Sequence, residues 1–72
     1  MPNTDLFKLG YKIKYERVKQ KLSQLDLALL TGLTTRTISR IECGIIDPKF
    51  STLLKISSAL SLEIKDLLDF QL

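Results

Sequence analysis

The chain contains no histidine and a single cysteine, Cys43. One cysteine cannot form an internal disulfide, and nothing accompanies it that would complete a cluster of metal ligands. The absence of histidine also removes the commonest general base, and no paired carboxylates or activated nucleophile can be recognised. We therefore expect a protein that is not an enzyme and that uses no metal ion or cofactor.

Long apolar runs are missing as well. No run approaches the roughly 18 residues that a membrane span requires. The first residues also lack the charged and apolar regions of a signal peptide. These absences predict a cytoplasmic protein.

Charge is distributed unevenly along the chain, whose formal net charge is +3 at pH 7. Six cations fall between positions 8 and 21, where the only acid is Glu16: Lys8, Lys12, Lys14, Arg17, Lys19 and Lys21. The end of the chain is mildly acidic, with Glu63, Asp66 and Asp69. This asymmetry favours an anionic partner for the first two thirds of the chain. A solvated, lysine-rich helix is the simpler alternative, and the charge pattern alone does not separate the two.

Apolar residues recur at helical spacing, which predicts one all-α domain spanning residues 1–72, with its core at about 5–69. The five expected helices are residues 5–20, 24–30, 35–43, 50–60 and 63–69. The side chains expected to be buried are Leu9, Ile13, Leu27, Ala28, Leu30, Ile38, Ile41, Phe50, Leu53, Ile56 and Leu60. Gly10 lies inside the first helix at a cost of about 1 kcal/mol relative to alanine, which predicts a neighbour packed closely against the backbone there.

Two short helices set at an angle are predicted in the middle of the chain. A capping-box pattern begins at Ser23 and starts the first of them. Gly32 can take the left-handed conformation that ends it, and Thr34 can cap the second through its hydroxyl. Ala28 is small enough for a close crossing, and Ile38 anchors the second helix to the core. Such a unit presents the N-terminal part of its second helix as a ridge that fits a DNA major groove of about 12 Å.

The sequence here resembles a known family. The segment LSQLDLALLTGLTTRTISRIECG, a proline four residues after its final glycine, and the segment LLKISSALSLEIKDLL are similar in register to the lambda-repressor-like helix-turn-helix family, also called the Cro/repressor or XRE family. The resemblance extends from about Leu9 to Leu68. It implies a compact five-helix DNA-binding domain whose second and third helices form the helix-turn-helix, and a function as a transcriptional regulator bound to double-stranded DNA.

The resemblance also implies roles for individual residues. The positions expected to read base edges are Thr35, Arg36 and Arg40. Those expected to contact or position DNA phosphates are Gln24, Thr34, Thr37, Ser39, Lys49, Phe50 and Ser51. Arg17 is expected to form a structural ion pair with Glu42, with a role chiefly in DNA contact as the alternative. Ser61 stands where the family usually has glycine, so the corner before the last helix is expected to differ in shape.

Apolar residues outside the expected core suggest protein partners. We expect a homodimer formed through Leu68, Phe70 and Leu72, because an apolar chain end is otherwise exposed to water. Two domains would then bind an inverted-repeat operator as a repressor or autoregulator. A phage-type regulator, a restriction-modification controller and an antitoxin remain open. A protein-interaction module is the alternative function, with its surface at Leu25, Leu29, Ile45 and Ile46.

Overall fold

Five α-helices joined by short turns form the described part of the chain, residues 4–69 of a computed structural model. They are α1 (Thr4–Lys19), α2 (Gln24–Thr31), α3 (Thr35–Glu42), α4 (Phe50–Ala59) and α5 (Ile64–Leu67). No strand occurs within these residues, and none of their helices combines the length and apolar character needed to cross a membrane. The predicted all-α, five-helix fold is confirmed. The first four helices begin and end within one residue of the predicted bounds, whereas the fifth is shorter than predicted.

One hydrophobic core joins the five helices. Its buried members are Leu9, Ile13, Leu27, Ala28, Ile38, Ile41, Leu53, Ile56, Leu60 and Leu67. α3 packs against both α1 and α2, while α4 packs against α2 and α5. The middle helices are thus held from two sides, which fixes the angle of α3.

Leu30 was predicted to face inward, and this prediction is wrong, since its side chain is 59% exposed. The buried face of α2 consists of Leu27, Ala28 and Thr31. At 100° per residue, Leu30 lies roughly 110° from the centre of that face. Thr31 can be buried because its hydroxyl donates to the carbonyl oxygen of Leu27 at 2.8 Å, which leaves no unsatisfied donor.

Phe50 was also predicted to be buried, yet it is 60% exposed. It is the first residue of α4, whose inward face is set by Leu53, Ile56 and Leu60. Relative to the centre of that face Phe50 is rotated by about 90°. The side chain therefore lies beside the core rather than within it.

Gly10 marks the place where α1 and α3 cross. A methyl group added to Gly10 would overlap the backbone carbonyl oxygens of Ile41 and Glu42. The predicted close neighbour is confirmed, and it is the C-terminal end of α3. The absence of a side chain at this position lets α1 and the end of α3 come within direct backbone contact.

The corner before α5 keeps a glycine-like shape although no glycine is present. Ser61 has φ +58°, and the amide of Leu62 donates to the carbonyl oxygen of Ser57 at 2.8 Å, which closes the end of α4. The expectation of a differently shaped corner is wrong at this point, because the serine accepts the left-handed conformation. Lys21, after α1, does the same with φ +61°.

Candidate nucleic-acid interface

α2 and α3 begin with side-chain caps. The Ser23 hydroxyl accepts the amide of Asp26 at 2.9 Å, and the Asp26 carboxylate accepts the amide of Ser23 at 2.8 Å. Hydrogen bonding of the Asp26 carboxylate to Ser23, first to its backbone amide and then to its side chain, lowers the pKa of Asp26. The capping box and the left-handed cap at Gly32, with φ +75°, are both as predicted. Local hydrogen bonds thus define where α2 starts and stops.

Thr34 caps α3 as predicted, and this uses part of its hydrogen-bonding capacity. Its hydroxyl oxygen accepts the amide of Thr37 at 3.1 Å, and the Thr34 and Thr37 hydroxyls are 3.0 Å apart. The two threonines form a small polar cluster at the exposed start of α3. The cluster leaves hydroxyl groups at the surface that can rotate toward an acceptor on a bound molecule.

One side of α3 is exposed and polar, while the opposite side is buried in the core. Thr35, Arg36 and Arg40 are exposed, and Ile38 and Ile41 are buried. Within residues 4–69, neither arginine takes part in an ion pair. Because they are four residues apart, their guanidinium groups lie on one side of the helix. Each guanidinium has five N–H donors, so this face offers donors without competing internal acceptors.

The start of α4 lacks a side-chain cap. Lys49 occupies the cap position with extended backbone, and its side chain makes no capping hydrogen bond. The first amides of the helix, which include those of Phe50 and Ser51, therefore keep donors without a side-chain acceptor. Lys49, Phe50 and Ser51 are all exposed. Free helix-start amides beside a lysine are suited to binding an anion.

Gln24, the first residue of α2, makes a contact that sequence reasoning missed. Its side-chain amide nitrogen donates to Glu42 Oε1 at 3.1 Å. The residue is half-buried, with its carbonyl oxygen and second amide hydrogen left for other partners. The two residues are 18 positions apart, and no local pattern signals their contact.

Arg17 and Glu42 form a buried ion pair behind this interface. Arg17 Nε lies 2.6 Å from Glu42 Oε2, and Arg17 Nη2 lies 3.0 Å from Oε1. The side chains are 9% and 3% exposed. The hydrogen bond to Glu42 raises the pKa of Arg17, so the guanidinium stays charged. A third bond runs from Nη1 to the carbonyl oxygen of Leu22 at 2.7 Å, so three of the five N–H donors of Arg17 are used inside the domain.

The residues expected at protein interfaces differ in exposure. Leu25, Leu29, Ile45 and Leu68 are exposed, whereas Ile46 packs partly against the core. Phe70 and Leu72 lie outside the described residues. α2 therefore exposes leucines that its own domain does not cover.

A five-helix domain with a capped, two-helix unit and an exposed cationic face on the second helix defines a helix-turn-helix protein. Residues 13–67 match the family described as Helix-turn-helix, and the chain belongs to this family in its XRE, lambda-repressor-like form. The predicted family is confirmed.

Similar proteins agree on the class. An uncharacterised HTH-type transcriptional regulator of Methanocaldococcus jannaschii is 35% identical over 60 residues, covering 83% of this chain and 91% of that protein. Another, from Sinorhizobium fredii, is 40% identical over 53 residues, which are 74% of this chain but 27% of that protein. The chain thus spans about a quarter of that relative's length.

The fold is also found in a solved structure. The restriction-modification controller protein C.AhdI from Aeromonas hydrophila aligns with a TM-score of 0.89 at 32% identity, covering 90% of this chain and 98% of that chain. Together with the family match, this makes the chain a transcriptional regulator with a helix-turn-helix DNA-binding domain.

Proposed function

We propose that this protein is a homodimeric repressor that acts in the cytoplasm and places α3 in the major groove of an inverted-repeat operator. The observation that carries the proposal is the pair of guanidinium groups, Arg36 and Arg40, on the exposed face of α3, where neither forms an ion pair with another residue between positions 4 and 69. Ile38 and Ile41 hold the opposite face in the core, so the arginines project from a fixed support. A fixed support reduces the entropy lost on binding.

Base reading is assigned to three side chains of α3. Arg36 and Arg40 are suited to bidentate bonds with O6 and N7 of guanine, each worth about 1–3 kcal/mol of discrimination. Thr35 at the helix start can contact a thymine methyl group or form one hydrogen bond. The preferred half-site should therefore contain guanines at one or two positions.

Phosphate contacts are assigned to the polar groups around these three. They are Gln24, Thr34, Thr37, Ser39, Lys49 and the backbone amides of Phe50 and Ser51. Such contacts set the position of α3 and carry no sequence information. Affinity should fall steeply with salt, because cations that contact phosphates displace counterions from DNA.

Dimerisation follows from the small footprint of one domain. A single recognition helix reads too few base pairs for high specificity, and two copies related by a two-fold axis would bind half-sites about 34–36 Å apart. Leu68, Phe70 and Leu72 are assigned to the dimer interface. The likeness to C.AhdI favours a controller-type regulator that blocks transcription by its position on the operator.

Selection of bound duplexes from random sequence tests the proposal. The wild-type protein should enrich an inverted repeat, and Arg36→Ala and Arg40→Ala should each weaken binding to it by about 10- to 100-fold. Lys65→Ala is the matched control, since it removes one positive charge from the exposed surface of α5. Folded arginine variants that bind the selected repeat as tightly as Lys65→Ala would contradict the assignment.

A protein-interaction module is the second candidate, because α2 exposes Leu25 and Leu29 and the loop after α3 exposes Ile45. Ile46 beside it is partly covered. If this is the main role, selection enriches no duplex, and a partner protein binds the wild-type chain but not a Leu25→Ser, Leu29→Ser variant. Enrichment of a duplex by that variant as well as by the wild type would count against it.

A further inference from the structure

The outer face of α1 carries a groove of about 670 Å³ that the DNA interface does not use. Three aromatic residues at successive intervals of four line it, Phe7, Tyr11 and Tyr15, exposed by 49%, 70% and 52%. Because of that spacing they form one strip along the helix. Lys8 lies at its edge, and Asp69, just beyond α5, lines its far side. The volume is within the range of about 300–1,000 Å³ that binding pockets have.

Exposed apolar surface on α1 is not confined to this groove. The apolar surface continues past Tyr15 to Val18, which is 54% exposed and lines a second shallow depression. None of the residues assigned to DNA lines either depression. Contiguous exposed apolar surface with a charged rim typically marks a protein contact.

The sequence that follows Asp69 has the pattern of a segment that fits such a groove. It reads Phe70, Gln71, Leu72, so an apolar, a polar and an apolar residue alternate. In an extended chain the first and third side chains point to the same side. The first and third residues of an extended chain are about 7 Å apart, close to the roughly 6 Å that separates successive aromatic residues of the strip along the helix.

Charge favours contact between α1 of one copy and the α5 end of another. The groove edge carries Lys8, and the end of α5 carries Asp66 and Asp69. Lys8 and Asp69 line the same groove in one copy, and within residues 4–69 no ion pair joins α1 to α5, so both charges can pair with a second copy. A two-fold dimer pairs the same patch on both copies, and here the groove and Asp69, the last described residue, share one patch.

We propose that the α1 groove, lined by Phe7, Tyr11 and Tyr15, receives Phe70 and Leu72 of a second copy of this chain. Each copy would supply one groove and one chain end, so the contact between groove and chain end occurs twice in the interface. The inference rests on the dimer of the proposed function and names the surface that accepts the chain end. Aromatic walls around buried Phe and Leu anchors are the composition expected at the centre of an interface.

Cross-linking between distinguishable chains tests the contact. In a Cys43→Ala background, full-length chains carrying Tyr11→Cys are mixed with tagged full-length chains carrying Phe70→Cys and then oxidised. Disulfides form only where the two Cα atoms come within about 7 Å. We expect a disulfide between tagged and untagged chains, and none when Leu29→Cys on α2 replaces Tyr11→Cys. Tyr15→Cys serves if Tyr11→Cys loses its helical circular dichroism.

Charge exchange gives an independent measurement without cysteines. Lys8→Glu and Asp69→Lys should each weaken the homodimer, because like charges then meet twice across the two-fold axis. Mixed together, the two variants should form a heterodimer more stable than either homodimer by about tenfold or more, since both contacts are again between opposite charges. Equal stability of all three dimers would overturn the charge argument.

The outcomes separate this inference from the proposed function. A dimer in sedimentation that gives no disulfide between chains, or a disulfide within a single doubly substituted chain, overturns the groove assignment and leaves operator reading intact. A monomer at every concentration overturns both the groove assignment and the dimeric repressor. Loss of operator selectivity in Arg36→Ala is unaffected by either result, because that helix face lies outside the groove.

Discussion

Removal of the Glu42 carboxylate should destabilise the domain more than any substitution on its DNA-binding face. The carboxylate accepts bonds from Arg17 Nε at 2.6 Å, from Arg17 Nη2 at 3.0 Å and from Gln24 Nε2 at 3.1 Å. Glu42→Ala would leave a guanidinium whose side chain is 9% exposed with only its bond to the Leu22 carbonyl oxygen. Breaking one side of a buried pair typically costs 3–5 kcal/mol. A domain of 72 residues has a total stability of about 4–11 kcal/mol.

The double replacement should be much less harmful than either single one. Arg17→Met with Glu42→Leu removes both charges together, which also removes their desolvation cost. What remains is the loss of two hydrogen bonds, to the Leu22 carbonyl oxygen and from the Gln24 amide, each worth about 1 kcal/mol, and some repacking. We therefore expect the double variant to lie within about 2 kcal/mol of the wild type, with a coupling energy of 3 kcal/mol or more.

Urea unfolding followed by far-ultraviolet circular dichroism measures these differences. The wild type, Glu42→Ala, the single variants Arg17→Met and Glu42→Leu, and the double variant are compared at one protomer concentration, since dimerisation would otherwise shift the apparent stability. Two results would refute the reasoning: a cost below about 1 kcal/mol for Glu42→Ala, or a double variant whose loss equals the sum of the single losses.

Three further predictions concern the backbone and the α2 cap. Gly10→Ala should lower the free energy of unfolding by about 1–3 kcal/mol or more, because the added methyl group overpacks the helix crossing. Gly32→Ala has open space around it and should lower it by only about 1 kcal/mol, the cost of φ +75° for alanine. Equal urea midpoints for the two variants would contradict this. Ser61→Gly, at φ +58°, should raise the thermal midpoint by relieving about 1 kcal/mol, and a lowered midpoint would count against it. The pKa of Asp26 is lowered in the folded protein. The stabilising effect of its carboxylate is therefore present above the ordinary aspartate pKa and is lost as the pH falls through the lowered pKa of the folded state. Carboxyl NMR titration should find the pKa of Asp26 below the usual range.

Helix ends were predictable from sequence because caps are local. Ser23 and Asp26 are three residues apart, and their reciprocal bonds form wherever a helix begins between them. The same holds for Gly32, which takes a positive φ because it has no side chain, and for Thr34, whose hydroxyl caps α3. The positions of the first four helices were therefore accurate to one residue.

Which side of a short helix faces inward was harder to predict. α2 has eight residues and several leucines, so apolar spacing fits more than one face. A face with Leu27 and Leu30 would be the more hydrophobic one. The face that is buried instead combines Leu27 with Ala28, which allows a closer approach to the neighbouring helix, and with Thr31, whose hydroxyl bonds to carbonyl oxygens of its own helix. Phe50 shows the same limit at a helix end, where spacing does not say whether the core extends that far.

Long-range polar contacts were the least predictable part of the interface. Residue patterns alone left the partner of Arg17 open, and the family resemblance suggested Glu42. In the structure Arg17 Nε lies 2.6 Å from Glu42 Oε2. Nothing in the sequence indicated that Gln24 also bonds to Glu42. Contacts 25 and 18 residues apart depend on how three helices meet, and no local rule contains that information.

The Glu42 carboxylate therefore joins the scaffold to the interface. It holds Arg17 of α1 and Gln24 at the start of α2 while belonging to the end of α3, so one group fixes three helices relative to one another. Gln24 needs only one amide hydrogen for this contact, which leaves the second hydrogen and the carbonyl oxygen already oriented before DNA arrives. Binding then does not have to order this side chain, a cost of about 0.5–1.5 kcal/mol for a flexible residue. The pair that stabilises the fold thus also prepares a phosphate contact of the proposed interface.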